Sequence, residues 1–322
     1  MNFPIFDLHC DTAYALLSRE DRMVYKRLKS NNLHIDLERA AKLPGYCQCF
    51  ACFTTPLEQL PPKMTVVDLF ERELNGILNE IGKNPDVMQQ AFSPEDIRAN
   101  REKGIMSAVL TIEGPAGFGF DPGLLEMLYA VGFRISTLGW NEDNPLSGSH
   151  KTGNGLTDLG REYVRECQRL GILVDVSHLS DRGFWDIMEM TQAPVIASHS
   201  NSRTVWDTSR NLTDDMFRAI CQTGGVAGIN LYTEFLGERA TLDTVCDHVF
   251  RFLEMDPGGE HIALGGDLDG CEELPVDFTG VESYPALAQR LLQRGAGEKI
   301  VQNICWNNGL GVMERAVRYH QK

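Results

Sequence analysis

The chain of 322 residues lacks the features that mark several large classes of protein. It has no excess of basic side chains, since 30 Lys and Arg stand against 45 Asp and Glu, a formal charge of −15. Nucleic acids and anionic lipid surfaces are bound largely through clustered Lys and Arg, so we expect neither as a partner. No run approaches the roughly 18 uninterrupted apolar residues of a spanning helix, so no membrane insertion is expected.

Signals for export and for disulfide or zinc-knuckle frameworks are also missing. Asp7, His9 and Asp11 interrupt the first apolar run, which therefore does not resemble a secretory signal. The nine cysteines are odd in number, and Cys47 and Cys49 are separated by one residue where a zinc knuckle or a thioredoxin-type motif has two. We therefore expect buried, reduced thiols and a cytoplasmic protein.

What the chain does contain is a regular alternation of short apolar runs and longer amphipathic stretches, with no internal repeat and no linker. Eight runs are typical of buried strands. They cover residues 5–11, 47–54, 107–114, 133–140, 172–178, 194–200, 224–230 and 262–270. Near-continuous apolar strands that alternate with helices indicate a parallel sheet covered on both faces. The pattern predicts an α/β fold, a (β/α)8 TIM barrel, as a single domain over residues 1–322 that ends in C-terminal helices.

The predicted helices carry capping signals that support this alternation. They cover residues 64–81, 123–132, 157–171, 180–191, 213–224 and 242–255. Thr157, Ser180 and Thr213 each offer a side-chain oxygen to the free N–H groups of a helix start. A doubly wound open sheet is the alternative fold, but no glycine-rich G-x-G-x-x-G turn follows the first strand.

Metal-binding residue types recur at the predicted strand ends. These are His9, Asp11, Glu113, His178, His199, Asp267 and Asp269. In a barrel of this kind the active site gathers at the carboxyl ends of the strands, and imidazoles with carboxylates suit zinc. Each residue alone is more often structural, so the hypothesis rests on their joint placement.

The number of these residues exceeds what one ion needs, which indicates a binuclear centre. Two ions roughly 3.5 to 4 Å apart are usually joined by a carboxylate and a hydroxide. Glu113 is the natural bridge. His9 and Asp11, which point the same way on one strand while Cys10 faces away, would hold one Zn²⁺, and His178 with His199 the other.

The ordered set "HCD", "TIEG", "VDVSHLS", "SHSNSR…SRNLTDD" and "GGDLDG" resembles the membrane (renal-type) dipeptidase family, peptidase family M19, from residue 5 to about 310. The resemblance implies a (β/α)8 barrel of the metal-dependent hydrolase (amidohydrolase-like) type that binds two zinc ions and forms a homodimer. It also implies that the protein hydrolyses small dipeptides, including L-Xaa-D-Xaa, through a hydroxide that bridges the two metal ions. By the same resemblance, Asp267 matches the acid/base residue and Arg210 the arginine that binds the substrate carboxylate. The alternative interpretation of Arg210 is a surface charge beside Thr213.

One departure from the family lies after the fourth predicted strand. Animal members have a histidine there that contacts the tetrahedral intermediate, whereas this chain has Trp140. Asn141 or His150 could take its place, and we name Asn141 as a substrate-binding candidate. Tyr232, after the seventh predicted strand, could line the same pocket or belong to the core.

Two other functions compete with a zinc dipeptidase. A related binuclear amidohydrolase would act on N-acyl amino acids or cyclic amides, but such enzymes more often show H-x-H on the first strand. An inactive metal-containing binding protein is the third reading, and the presence of Asp267 counts against it.

Overall fold

The structure is a computed structural model that describes residues 3–54 and 60–320. Its strands are β1 (Ile5–Cys10), β2 (Tyr46–Phe53), β3 (Met88–Gln90), β4 (Met106–Glu113), β5 (Phe133–Thr137), β6 (Leu173–Asp175), β7 (Val195–Ile196), β8 (Ala227–Ile229) and β9 (Ile262–Leu264). The strand pairs are all parallel, in the order β7-β6-β5-β4-β2-β1-β9-β8. The predicted α/β barrel is confirmed as a nearly closed barrel of eight parallel strands.

The barrel closes between β7 and β8 through few backbone contacts. An isolated parallel bridge joins Ala197 to Ala227. Ala197 N–H donates to the carbonyl of Val226 at 3.0 Å and its own carbonyl accepts from Gly228 at 2.7 Å. Beyond the strands, the side chain of the buried Asn201 binds the backbone of Asn230: its Nδ2 donates to the Asn230 carbonyl and its Oδ1 accepts from the Asn230 N–H, both at 3.0 Å. We call this joint, formed by residues 197–201 and 226–230, the seam.

The helices surround this barrel. They are α1 (Thr12–Ala15), α2 (Leu37–Ala40), α3 (Val66–Gly82), α4 (Pro94–Glu102), α5 (Leu125–Val131), α6 (Asp158–Leu170), α7 (Asp181–Met190), α8 (Asp214–Thr223), α9 (Thr233–Leu236), α10 (Leu242–Leu253), α11 (Tyr284–Gln293), α12 (Glu298–Gln302) and α13 (Asn308–His320). The capping residues predicted for α6, α7 and α8 are confirmed, because Thr157, Ser180 and Thr213 each accept a backbone N–H from the first helical turn. Such a cap contributes about 1 kcal/mol.

Several elements were not predicted from the sequence, among them the helices α1, α2, α4 and α9, a short strand and a π-helical turn. The short strand β3 pairs with residues 106–108 of β4, along the edge that β5 takes over from Leu110 onward. A π-helical turn, Asn303–Asn307, joins α12 to α13. Trp306 in this turn meets the Phe6 ring edge-on at 5.8 Å, and Asn308 binds the carbonyl of Ile262 where β9 begins. The C-terminal segment therefore covers the end of the barrel where the strands start.

Several strands are shorter than their apolar runs predicted. The run 172–178 yields only three strand residues, and the run 262–270 likewise. His178 and Asp267 adopt left-handed backbone conformations, with φ of 71° and 55°, which a strand does not tolerate. At the carboxyl end of the barrel the chain thus turns sharply where the polar side chains occur.

A bulge interrupts the alternation of β1. Asp7 pairs with Gln48, but Cys10, three residues later, pairs with Phe50, only two residues later on β2. One extra residue in β1 therefore shifts which side chains face the barrel interior. Cys10 lies in the core cluster of Ile5 and Phe50, whereas Leu8 lies in the other cluster. Cys10 thus faces away from His9 and Asp11, as the local alternation predicted.

Two properties of the described residues concern the chain's surroundings. No helix in the ranges 3–54 and 60–320 has both the length and the apolar character to span a bilayer. All nine cysteines are free thiols, and eight of them are buried. The buried free thiols that the sequence predicted are therefore observed.

Candidate active site

The strand ends bring the five predicted metal ligands together. His9 lies near the end of β1 and Asp11 directly after it, Glu113 is the last residue of β4, and His178 and His199 each follow three residues after β6 and β7. All five side chains are buried, with at most 7% of each residue exposed. Because parallel strands place their carboxyl ends at one edge, residues distant in sequence meet here.

Glu113 occupies the middle of this cluster. Its Oε1 lies 2.9 Å from Nε2 of His178 and 3.7 Å from Nε2 of His199, while its Oε2 lies 3.5 Å from Nε2 of His9. His9 Nε2 is in turn 3.5 Å from Oδ2 of Asp11. One carboxylate therefore faces two separate groups of ligand atoms, as a bridging ligand must.

The donor atoms of the cluster fit divalent cations. His9 Nε2 and Asp11 Oδ1 are buried without a hydrogen-bond partner among the residues that the structure describes. Nε2 of His178 and Nε2 of His199 face each other at 2.9 Å. Ligand atoms of His9, Glu113 and His199 lie within 4.8 Å of one another, as do those of His9, Asp11 and Asp267. Buried polar atoms rarely stay unpaired, so this arrangement is explained by the binding of divalent metal at the cluster.

The electrostatics of the cluster favour the same conclusion. Burial lowers the pKa of His9, but the charges of Glu113 and Asp11 outweigh it and raise the pKa well above the ordinary value. Burial and the charge of Glu113 raise the pKa of Asp11 to about 6. Burial also keeps His178 and His199 neutral by lowering their pKa values well below the usual range, with the charges of Arg210 and His9 adding to the effect. Crowded carboxylates beside neutral imidazoles attract positive charge.

Outer hydrogen bonds set the tautomer of His199. Its Nδ1 lies 2.6 Å from Oγ of Ser198. Ser198 donates its only hydroxyl proton to Asp175, so its oxygen must accept a proton from His199 Nδ1. Nε2 of His199 is then unprotonated and free to bind a metal ion, the usual role of such outer partners.

Asp267 lies in the turn that follows β9, three residues after its end, and its side chain is next to the candidate metal ligands. Its Oδ1 lies 3.7 Å from Nε2 of His9, and its Oδ2 accepts from Asn230 Nδ2 at 3.0 Å. Burial raises the pKa of Asp267 to about 8, with His9 opposing the shift and Asp11 adding to it. A side chain at Gly270 would meet Oδ2 of Asp11 at 2.0 Å and Oδ1 of Asp267 at 2.5 Å, so only glycine lets these carboxylates approach.

Arg210 is buried close to the cluster, not exposed at the surface beside Thr213. Arg210 is 3% exposed. Its guanidinium donates to Oγ of Ser200 at 3.3 Å and to the carbonyl of His199 at 3.4 Å. Its Nε is buried without a hydrogen-bond partner in the described part of the chain. A buried guanidinium with unmet donors suits an anionic group.

A cavity of about 310 Å³ opens onto the cluster. Its walls include Asp11, Glu113, His178 and Asp267 together with Trp140, Asn141, His150, Lys151, Tyr232 and Phe235. Phe235 connects this cavity to Arg210, whose guanidinium carbon lies 5.2 Å from the ring centroid. The predicted pocket residues Tyr232 and Asn141 are therefore both on the cavity wall.

The model of the membrane dipeptidase family (peptidase family M19) matches residues 1–322. The chain belongs to family M19. The resemblance seen in the sequence motifs is thereby confirmed over the whole chain.

Relatives and solved structures agree with this membership. An uncharacterized protein in the pqqA 5' region of Klebsiella pneumoniae is 31% identical over 77% of this chain and 96% of its own length. An uncharacterized dipeptidase of Schizosaccharomyces pombe is 34% identical over 64% of this chain, and the match spans about half (52%) of that relative. A metallo peptidase from Rhodobacter sphaeroides, solved with a phosphinate mimic of the dipeptide L-Ala-D-Ala, is 26% identical and superposes with a TM-score of 0.87 over 98% of this chain and 100% of its own.

Sequence reasoning did not identify several residues that support this M19 site. Ser198 binds His199 and is itself held by Asp175, Asn230 binds Asp267, and Gly270 leaves room for two carboxylates. The sequence offers little signal for them, although Ser198 stands directly beside His199 and Gly270 closes the "GGDLDG" motif. Their importance follows from contacts that only the closed barrel creates.

Proposed function

We propose that this M19 member is a binuclear zinc dipeptidase that hydrolyses the peptide bond of dipeptides, L-Xaa-D-Xaa among them. The observation that carries the proposal is the placement of Glu113 between two groups of ligand atoms, with a buried carboxyl group and a buried, under-bonded arginine beside it. The L-Ala-D-Ala mimic bound to the R. sphaeroides metallo peptidase supports the substrate class.

The ligand atoms divide naturally into two sets that share Glu113. His9 and Asp11 would hold one zinc ion with Glu113 Oε2, and His178 and His199 the other with Glu113 Oε1. When bound, the two ions supply a water with its pKa lowered towards 7 and a Lewis acid for the scissile carbonyl.

Asp267 is the proposed acid/base residue. Its carboxyl group lies next to His9, faces the cavity, and is held in place by the amide of Asn230. In this position it accepts the proton of the attacking water and gives it to the leaving amine. Because Asn230 binds only Oδ2, Oδ1 stays available for the proton.

Arg210 is the proposed binding group for the free carboxylate of the substrate. A guanidinium presents two parallel N–H groups that match a carboxylate, and burial makes such a charge-assisted pair stronger than it would be in water. A carboxylate bound one residue away from the scissile bond limits the leaving side of the substrate to a single amino acid, as in a dipeptide.

The decisive experiment combines a metal assay with a small substrate panel. We expect close to two zinc ions per chain and turnover of L-Ala-D-Ala, with little turnover of N-acetyl-alanine or of a cyclic dipeptide. Turnover of the N-acyl or cyclic compounds with dipeptides untouched would replace this proposal with the amidohydrolase reading. Full metal occupancy without hydrolysis of either class would instead favour a binding protein.

An Arg210→Met variant tests carboxylate recognition. Methionine keeps much of the side-chain length against Phe235 but removes the donors, so kcat/KM for L-Ala-D-Ala is expected to fall roughly 10- to 100-fold, the range for a hydrogen bond to a charged group. The wild type should strongly prefer L-Ala-D-Ala to its C-terminal amide, and the variant should lose that preference. A variant that still discriminates against the amide would show that another group binds the carboxylate.

The homodimer and the cytoplasmic location belong to the same proposal. They rest on the family resemblance and on the reduced cysteines respectively. Sedimentation of the purified enzyme and fractionation of cells that produce it are the measurements that test them.

A further inference from the structure

A chain of hydrogen bonds leads from the loop of Arg210 to the candidate ligand His178. Ser209 Oγ lies 2.8 Å from Nδ1 of His150, and Nε2 of His150 lies 3.0 Å from Oδ1 of Asn141. The same Oδ1 lies 3.0 Å from Nδ1 of His178. We call Ser209, His150 and Asn141 the relay. Each member lies on a loop, and Ser209 directly precedes Arg210 in the chain.

If His178 binds a metal ion through Nε2, the positions of the protons along this relay are determined. A carbonyl oxygen only accepts, so both ring nitrogens that face Asn141 Oδ1 must carry protons. His178 then has its proton on Nδ1 and a lone pair on Nε2, the atom 2.9 Å from Glu113. If the amide of Asn141 were turned round, its NH₂ group would donate to His178 Nδ1 and leave the proton on Nε2, which would prevent coordination.

The orientation of His150 is itself well supported. Its backbone N–H donates to the carbonyl of His178 at 2.7 Å, and Ser149 and Leu179 form a bridge next to it. Asp143 ties the loop together by accepting from Ser149 N at 2.8 Å and from Thr152 Oγ1 at 2.7 Å. With both ring nitrogens engaged, His150 has none left for a substrate oxygen, so it does not replace the histidine that other family members have near Trp140.

We propose that Asn141, His150 and Ser209 are positioning residues that hold His178 in its metal-binding tautomer and so set the affinity of one of the two metal positions. This inference rests on the proposed function, because it needs a metal centre, but it concerns binding and not turnover. It also explains why Asn141 lies on the cavity wall while its oxygen is already used by two imidazoles. The other metal position, with His9 and Asp11, does not contact the relay.

The test measures zinc binding by competition with a chromophoric chelator, on protein stripped of metal. For His150→Ala we expect one zinc bound with wild-type affinity and the other weakened roughly 10- to 100-fold, the range reported for outer partners of metal ligands. This variant keeps the backbone N–H that binds His178, so it isolates the imidazole. His150→Gln, whose amide can still donate to Asn141, should recover part of the loss, and the milder Ser209→Ala should show a smaller weakening.

A matched control separates positioning from a general loss of structure. His261 also uses a ring nitrogen to bind a backbone carbonyl, that of Gly225 at 2.7 Å, but it precedes β9 at the opposite end of the barrel. His261→Ala should bind both zinc ions as the wild type does. Wild-type affinity for both ions in His150→Ala, or equal weakening of both ions in either histidine variant, would overturn the relay.

Failure of the relay proposal and failure of the proposed dipeptidase function would give different experimental results. A wild-type protein that binds two zinc ions but hydrolyses no dipeptide would refute the proposed function and leave the comparison of His150→Ala with His150→Gln fully informative. A wild-type protein that binds no metal ion would overturn both proposals.

Discussion

A Glu113→Gln variant is expected to lose metal binding at both positions and, with it, the hydrolysis of dipeptides. The two oxygens of Glu113 face different groups of ligand atoms, 3.5 Å from His9 on one side and 2.9 Å from His178 on the other. Glutamine keeps the size of the side chain but replaces one of these oxygens with an NH₂ group, which cannot coordinate, and removes the negative charge. Loss of a residue that only hydrogen-bonds to a metal ligand already weakens metal binding roughly 10- to 100-fold. Loss of the ligand Glu113 itself should therefore lower the metal affinity by at least about 100-fold.

The measurement for Glu113→Gln is metal content after dialysis, together with the rate on L-Ala-D-Ala. Glu73→Gln is the matched control, since Glu73 on α3 is another fully buried glutamate, with Oε2 accepting from Phe53 N at 2.6 Å. Burial raises the pKa of Glu73 well above its ordinary value despite that hydrogen bond. We expect Glu73→Gln to keep both metal ions. A Glu113→Gln protein with full metal content would refute the bridging assignment.

The second large effect is expected from Asp267→Asn, which should bind both metal ions and lose most of kcat. Asparagine can still accept the hydrogen bond from Asn230, and it tolerates the left-handed backbone at this position, φ 55°. What it cannot do is take up a proton. Positioned acid/base residues contribute roughly 100- to 10,000-fold, and the fall in kcat should lie in that range with KM little changed.

Asp269→Asn provides the comparison for this variant within the same motif. Asp269 has a similar backbone conformation, φ 69°, but its carboxylate binds Thr12 Oγ1 at 2.7 Å and His34 N at 2.6 Å. We assign it no part in proton transfer, and its variant should keep kcat close to that of the wild type. If Asp267→Asn retained the wild-type rate, the acid/base assignment would be wrong. If both variants lost metal ions, the motif would act on the structure of the centre instead.

The sequence predicted the barrel because its strands and helices alternate with clear periodicity, but it predicted strand ends less well. The run 107–114 corresponds closely to β4, whereas the run 194–200 contains only the two residues of β7. In that run Ser198 N–H binds the side chain of Asp175 at 2.9 Å instead of a neighbouring strand. Competition of this kind between side chains and the strand ladder leaves no trace in apolar periodicity.

The candidate ligands were predictable because each lies at the end of a buried strand or within three residues after it. The contacts that support them were not, because most come from elsewhere in the sequence. Asn230 reaches Asp267 from a different strand end. Asn141, named from the sequence only as a substrate-binding candidate, contacts His178 from a loop that Asp143 ties together. Serine and asparagine are common in loops, so only the folded barrel distinguishes these from the rest.

The seam between β7 and β8 has a consequence for the dynamics of this enzyme. A joint made of few backbone bonds and a pair of asparagine amides can open locally, and we expect the protection of the neighbouring amides from hydrogen exchange to be low there. His199 lies within the seam, His178 follows β6 on the β7 side of it, and His9 lies on β1, two strands away on the β8 side. Metal ions shared by these histidines would therefore act as a clamp across the seam, so that chelation shortens the lifetime of the closed barrel and saturation with zinc prolongs it.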